Sequence, residues 1–373
     1  MRFLSTGSLY LVAAATLYLS HFSHAQQMPA MPSLTIPNTL PSKDTKTGGV
    51  PGKFLGTQTT ALPQTQQMPA ISGFIATRNY PSKDGKTHSA SGKYFGTQVY
   101  IKCTTDAAAY NREKIAINAI QAGNPVRFGM TASVKKAFPV LYKVLEPPII
   151  KQYCLIYNEV MGVSLDKHIA SWMVEKRNAM LPNIFAQIIT ALNYMHRLGW
   201  VHNDITLSNI LVGFYQEGTM PQASIVDFGS VQRDGERLLP PPASTFGYRP
   251  LEDYDTNALS HFKRDVWMLG ATVYASMADM PPYGYEKPIS QGREEIWTES
   301  IMPTNMRTRG DSFLLWLPKN TGENLRTLAK TLLVTNLSAR PYFQQLSAKL
   351  LYSLSAEGGK RRFLGQTLGK LIS

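Results

Sequence analysis

Two short stretches of this chain hold residues whose types and order suit the transfer of a phosphoryl group. The first, His202-Asn203-Asp204-Ile205-Thr206-Leu207-Ser208-Asn209, sets a carboxylate, Asp204, upstream of an amide, Asn209. The second, Asp227-Phe228-Gly229, follows the run Ser224-Ile225-Val226. Phosphoryl transfer needs one carboxylate to orient and deprotonate the attacking hydroxyl, a role that fits Asp204. It also needs oxygen ligands for a Mg²⁺ (or Mn²⁺) ion on the phosphates, which fits Asn209 and Asp227.

The pair resembles the catalytic loop (H-R-D-x-x-x-x-N) and the D-F-G loop of the protein kinase superfamily. Further stretches carry the same resemblance in the same order. Val99-Tyr100-Ile101-Lys102 is similar to the V-A-I-K strand, and Asn111-Arg112-Glu113-Lys114 opens a helix-like stretch with Glu113 placed to pair with Lys102. Leu155-Ile156-Tyr157-Asn158-Glu159-Val160 reads as the last strand of a small lobe running into a hinge, with Tyr157 as gatekeeper. Gly162-Val163-Ser164-Leu165 would start the large lobe. Ser244 to Glu252 is similar to the end of an activation segment, and Asp265-Val266-Trp267-Met268-Leu269-Gly270 to a D-V-W-S-L-G helix start. Asn336 to Pro341 is similar to a D-P-x-x-R-P element, whose Arg340 would pair with Glu252.

The resemblance implies an α+β, two-lobed protein kinase-like fold: a small antiparallel β lobe with one helix, and a larger, mainly helical lobe. It implies ATP as cosubstrate, with Lys102 on its α- and β-phosphates and Glu113, Asn158 and Val160 beside it. Catalysis would fall to Asp204, Lys102, Asn209 and Asp227, and the metal to Asn209 and Asp227. The expected product is a phosphorylated protein hydroxyl, Ser or Thr before Tyr, a preference that Thr245 ahead of the segment's end supports. A secreted pseudokinase, an interaction scaffold without chemistry, is the alternative.

The loop expected to cover the phosphates has two candidates, since no G-x-G-x-x-G precedes Lys102. Ser91-Gly92-Lys93-Tyr94-Phe95-Gly96 offers Gly92 but lies near Lys102, and spacing suits it better as a turn between strands. Pro81 to Thr87 offers Gly85, with Lys83 or Lys86 for charge. Two departures mark the catalytic loop. Asn203 stands where the family carries the arginine that grips a phosphorylated activation loop, so control by that phosphorylation is not expected (a non-RD type). Thr206 stands where serine/threonine kinases carry a lysine. This H-x-D-I-[S/T]-x-x-N form is similar to divergent kinases found especially in fungi.

The elements that must position these residues fit a chain of 373 residues, long enough for one two-lobed domain of about 250 residues with an extension. Apolar residues at helical spacing over Ile184–His196 predict the long helix feeding the catalytic loop, with His196 as a partner at its C-terminal end. Residues 66–160 would form the small lobe, 161–355 the large lobe and 356–373 a basic tail around Lys360-Arg361-Arg362.

The first 25 residues read as a secretory signal peptide: Arg2, an uncharged apolar run from Leu9 to Leu19, then Ser23-His24-Ala25 as cleavage site. No stable membrane insertion is expected of what remains. The acceptor would then lie in the secretory lumen, outside the cell, or inside a host or neighbouring cell. Residues 26–65 are the first copy of a duplication: Gln26-Gln27-Met28-Pro29-Ala30 recurs as Gln66-Gln67-Met68-Pro69-Ala70, and Pro41-Ser42-Lys43-Asp44 as Pro81-Ser82-Lys83-Asp84. The first copy reads as disordered linker, and the second gains Phe74, Ile75, Tyr80, Val99 and Ile101 and folds.

A net charge of +13 fits a phosphate-bearing or acidic partner, or simple solubility. Basic residues are not interleaved with aromatics, so no nucleic-acid role is expected, and a monomer is. With Lys102 and the gatekeeper Tyr157 facing the expected cleft, Cys103 and Cys154 face away from it, on strands that the resemblance implies are neighbours. Two buried free thiols are the default expectation, and a disulfide in an oxidising compartment the alternative.

Overall fold

A strongly apolar strand, Val99 to Cys103, forms the centre of the small lobe in the computed structural model. The structure describes residues 68–80, 85–147, 149–214, 220–237, 247–254, 260–283, 302–311 and 317–357. The leader, the first repeat copy, Pro81–Asp84, Pro240–Pro242, Ser244, Thr245 and Lys360–Arg362 lie outside the described residues. Strands β1 (Phe74–Tyr80), β2 (Thr87–Tyr94), β3 (Thr97–Thr104), β4 (Leu141–Leu145) and β5 (Tyr153–Asn158) make one antiparallel sheet in the order β1-β2-β3-β5-β4. Period-two alternation sorts β3 and β5 cleanly. Val99, Ile101, Cys103, Cys154 and Ile156 fill a small core on one face, while Tyr100, Leu155 and Tyr157 face the main core.

Helix α1 (Ala107–Ala122) crosses that second face. It starts a turn earlier than Asn111, because the Asp106 carboxylate caps it, accepting from the amides of Ala108 and Ala109 at 2.9 Å each. Asp before three alanines is a start signal that the sequence carried openly.

The thiols are not free. Cys103 and Cys154 stand directly opposite each other in the β3–β5 ladder and are joined as a disulfide. Neighbouring strands bring the Cβ atoms of a directly opposed pair within bonding reach.

After the hinge come β6 (Val163–Ser164), α2 (Leu165–Ser171), α3 (Val174–Arg197), β7 (Trp200–Val201), β8 (Ile210–Gly213), β9 (Gln222–Ile225) and β10 (Gln232–Arg233). The helical end of the lobe adds α4 (His261–Ala278), α5 (Met302–Arg309), α6 (Glu323–Leu332) and α7 (Ala348–Glu357). Helix α3 reaches further back than Ile184, running through Pro182 at the loss of one ladder hydrogen bond. Leu181, Ile184, Phe185, Ile188 and Leu192 anchor it in the core. Helix α4 is buried all round, from His261 to Met277, as a helix at the centre of a lobe must be. No helix among the described residues is long and apolar enough to cross a membrane.

Candidate functional site

Alternation along β3 puts Lys102 on the sheet face that looks toward the large lobe. Its ammonium lies 2.9 Å from Glu113 Oε2 of α1 and 2.8 Å from Asp227 Oδ1. Burial pulls the Lys102 pKa down, but the Asp227 and Glu113 carboxylates outweigh it and hold it well above the usual lysine value. In return the Lys102 ammonium lowers the Asp227 carboxyl to about 2. Glu113 is held from its other side as well: Tyr157 donates its hydroxyl to Glu113 Oε1 at 2.9 Å. Burial first, and the Glu113 charge second, push the Tyr157 phenol well above its ordinary pKa, so it stays a donor.

The turn Phe228–Ser230 closes the site from below. Asp227 adopts φ +65°, a left-handed backbone uncommon outside glycine. A Cβ on Gly229 would stand 2.9 Å from the Lys102 ammonium, so only glycine leaves that pair undisturbed. Phe228 is buried against Phe138 and His202, tying the turn to both lobes.

His202 is a neutral, structural imidazole. Nε2 donates to Val226 O at 3.1 Å, and Nδ1 accepts from the Asp204 amide at 3.3 Å, which fixes the tautomer. Burial lowers its pKa and keeps it uncharged. Asp204 and Asn209 stand together: Asn209 Nδ2 donates to Asp204 O at 2.8 Å and to Asp204 Oδ2 at 3.0 Å. With its amide nitrogen so engaged, Asn209 turns its carbonyl oxygen the other way, as a hard oxygen donor. Asp227 adds a carboxylate half exposed to solvent. A carboxamide oxygen and a carboxylate suit Mg²⁺ or Mn²⁺, so the residues present fit such an ion.

Asp265, buried at the start of α4, holds the whole loop. Its carboxylate accepts from the amides of His202 and Asn203 at 2.8 Å each and from His196 Nε2 at 2.9 Å. Burial alone would raise its pKa, and the His196 hydrogen bond and charge hold it below the ordinary carboxylate value. Asn203, at φ +64° and 3% exposed, reaches Ser230 O and Gln232 Oε1 with its amide, both at 3.2 Å. Arg264 donates to both Asn203 oxygens and clasps Asp253 through Nε and Nη2 at 2.9 to 3.0 Å. Arg340 pairs with Glu252 through both terminal guanidinium nitrogens. The end of the activation segment is thus pinned twice. Thr206 turns its hydroxyl to Ser208 at 2.9 Å.

The glycines separate. Gly85 lies between β1 and β2 at φ +66°. Gly92 lies within β2 rather than in the turn expected over Ser91–Gly96, which corrects its place in the chain. A Cβ there would run into Ile75 O and stand 2.9 Å from Ala76 Cα, at the bulge of β1, so the glycine answers to close strand approach. Phe95 and Gly96 make the β2–β3 turn. Asn158 and Val160 follow Tyr157 at the hinge, where they line a cavity of about 530 Å³ with Lys136, Phe138 and Gln222. Sequence reasoning passed over Arg264, Asp253 and Tyr100. Only Tyr100 had a readable signal, its two-residue offset from Lys102 on the same strand face.

A family model described as "protein kinase domain" matches residues 129–351. Among curated proteins the chain is similar to an Aurora kinase of Candida glabrata, 23% identical over 239 residues, covering 60% of each chain. It is 24% identical over 188 residues to CBL-interacting protein kinase 25 of Oryza sativa, covering 46% of this chain and 36% of that one. It is 22% identical over 240 residues to the serine/threonine-protein kinase PLK4 of Drosophila persimilis, covering 60% and 30%. The chain therefore spans less than two thirds of the length of these relatives.

Proposed function

The chain belongs to the protein kinase domain family, and from that membership we propose that it transfers the γ-phosphoryl group of ATP to a protein hydroxyl. The observation that carries this reading is the Lys102 ammonium held between Glu113 and Asp227 at 2.9 and 2.8 Å. Lys102 would take the α- and β-phosphates, and the base would lie toward Asn158 and Val160. Asp204 would orient the acceptor hydroxyl and take its proton as the oxygen bonds to phosphorus and the bridging oxygen leaves with ADP. Asn209 and Asp227 would hold Mg²⁺, which when bound neutralises charge on the phosphates.

A Ser or Thr acceptor is favoured by the serine/threonine kinases among the relatives. Asn203 supplies no cation for a phosphorylated activation loop, which supports a non-RD type. The apolar leader over residues 1–25 and the Cys103–Cys154 disulfide together support an exported protein, since disulfides persist in oxidising compartments. A scaffold without chemistry is the second reading, favoured by Thr206 standing turned to Ser208 where the family carries a lysine.

Calorimetric titration with ATP and Mg²⁺ tests the site. The native chain binds in a Mg²⁺-dependent manner, and Lys102→Met and Asp227→Asn each weaken binding roughly tenfold or more. Equal affinity in all three chains contradicts the assignment.

A further inference from the structure

The sheet face above Lys102 is lined with phenols and hydroxyls. Across the β2–β3 ladder Ser89 pairs with Lys102 and Ser91 with Tyr100, and across the β3–β5 ladder Tyr100 pairs with Tyr157. All five stand on the face that looks toward the large lobe, because their neighbours Val99, Ile101, Cys103 and Ile156 fill the opposite one. Tyr80, at the end of β1, joins them. Its ring meets the Tyr100 ring edge-on at 5.7 Å, and its hydroxyl lies 3.1 Å from Ser91 Oγ.

Tyr100 is wedged in this roof. Tyr80 stands on one side, and Tyr157 lies tilted on the other at 6.4 Å, its own hydroxyl fixed to Glu113. Ser89, the ladder partner of Lys102, and Ser91, the ladder partner of Tyr100, stand beside the ring on the same face. The Lys102 and Asp227 charges both act on that phenol.

The position matters because of what lies at either end. Lys102 is two residues along β3, roughly 7 Å away. In the other direction the partner of Tyr100 is Tyr157, and the hinge residue Asn158 follows it. A ligand with phosphates on Lys102 and a base at the hinge must pass beneath Tyr100, whereas a bare polyphosphate need not.

We propose that Tyr100 is the specificity-determining residue of the nucleoside half of this site, a steric gate that a nucleoside triphosphate must displace and a polyphosphate does not meet. The inference rests on the reading of the cleft as an ATP site and adds what limits entry to it. The ring yields only by rotating out of its seat between Tyr80 and Tyr157. That displacement carries the cost of disturbing a packed aromatic contact and weakens the ligand's apparent affinity in proportion.

The experiment measures affinity for ATP and for inorganic tripolyphosphate, both with Mg²⁺, in the native chain and in Tyr100→Phe, Tyr100→Val and Tyr100→Ala. The gate predicts that Val and Ala tighten ATP binding roughly tenfold and leave tripolyphosphate unchanged, while Phe behaves as the native chain. Valine keeps a strand-forming side chain, and damage to the fold would lower affinity rather than raise it. ATP binding that is unchanged or weaker in Val and Ala, with tripolyphosphate retained, overturns the gate and makes the ring a platform or a spectator. Absence of binding by either ligand to every chain removes the ATP reading itself, and the gate with it.

Discussion

Asn203 and Arg264 are locked together at two points, with one guanidinium nitrogen donating to the Asn203 backbone oxygen at 2.9 Å and to its side-chain oxygen at 3.0 Å. The same guanidinium grips Asp253, so the catalytic loop and the end of the activation segment share one cation. Hydrogen bonds from the Asn203 amide to Ser230 and Gln232 add to that link. Restoring the family arginine by Asn203→Arg would bury a second cation against Arg264. We expect this substitution to destabilise the fold by about 3 kcal/mol, measured by urea unfolding. A neutral or stabilising result would show that the pocket holds an anion-binding site after all.

The hydroxyl of Tyr157 is expected to be worth more than its ring packing alone. Tyr157→Phe keeps the apolar contact and removes the donor to buried Glu113. The expected loss is about 1–2 kcal/mol of stability, read by thermal denaturation, together with weaker Mg²⁺-ATP binding as Glu113 loses one of its two supports. Unchanged ATP binding would mean that Lys102 alone orients Glu113.

The Cys103–Cys154 bridge closes a loop with a sequence separation of 51. Chain entropy alone gives such a cross-link roughly 4 kcal/mol against the unfolded state. Cys103→Ser with Cys154→Ser should therefore lower the unfolding midpoint strongly. In the native chain, alkylation of either residue should require both reductant and denaturant, since both sulfurs are fully buried. Intact mass after alkylation in denaturant without reductant checks this, and labelling under those conditions contradicts the bridge.

Acid should act on the Lys102–Asp227 pair late. The Lys102 ammonium holds the Asp227 carboxyl at about 2, against an ordinary 3.8. A depressed folded-state value stabilises fully above the ordinary value, and that contribution is lost as pH falls through about 2. Between about pH 4 and 2 the native chain should therefore lose stability faster than Asp227→Asn, followed by denaturant titration at each pH. Parallel curves would show that the two groups do not pair in solution.

Much of this arrangement was legible in the sequence because it depends on spacing within short stretches. The order of Lys102, Glu113, Asp204, Asn209 and Asp227 fixed a two-lobed protein kinase-like expectation, and the sheet and helices match that fold class. What escaped reading depends on tertiary approach. Gly92 looked like a loop glycine until the β1 bulge supplied its reason. The reach of Arg264 to Asn203 and Asp253 crosses elements that no local pattern connects. Cys103 and Cys154 were assigned a common face by alternation, but only the ladder register shows that they are directly opposed. The early start of α1 is legible in Asp106 ahead of three alanines, a cap signal independent of the Glu113 spacing.

The central claim is that Asp204 serves phosphoryl transfer rather than the architecture of the loop alone. It is tested most directly by transfer of label from γ-labelled ATP, with Mg²⁺, onto the chain itself or a general protein acceptor. Asp204→Asn preserves the shape of the side chain and its place beside Asn209. The account predicts that this variant still binds ATP and loses transfer by roughly a hundredfold or more. Transfer that is equal in the two chains, or absent from the native chain while ATP is bound, would contradict it.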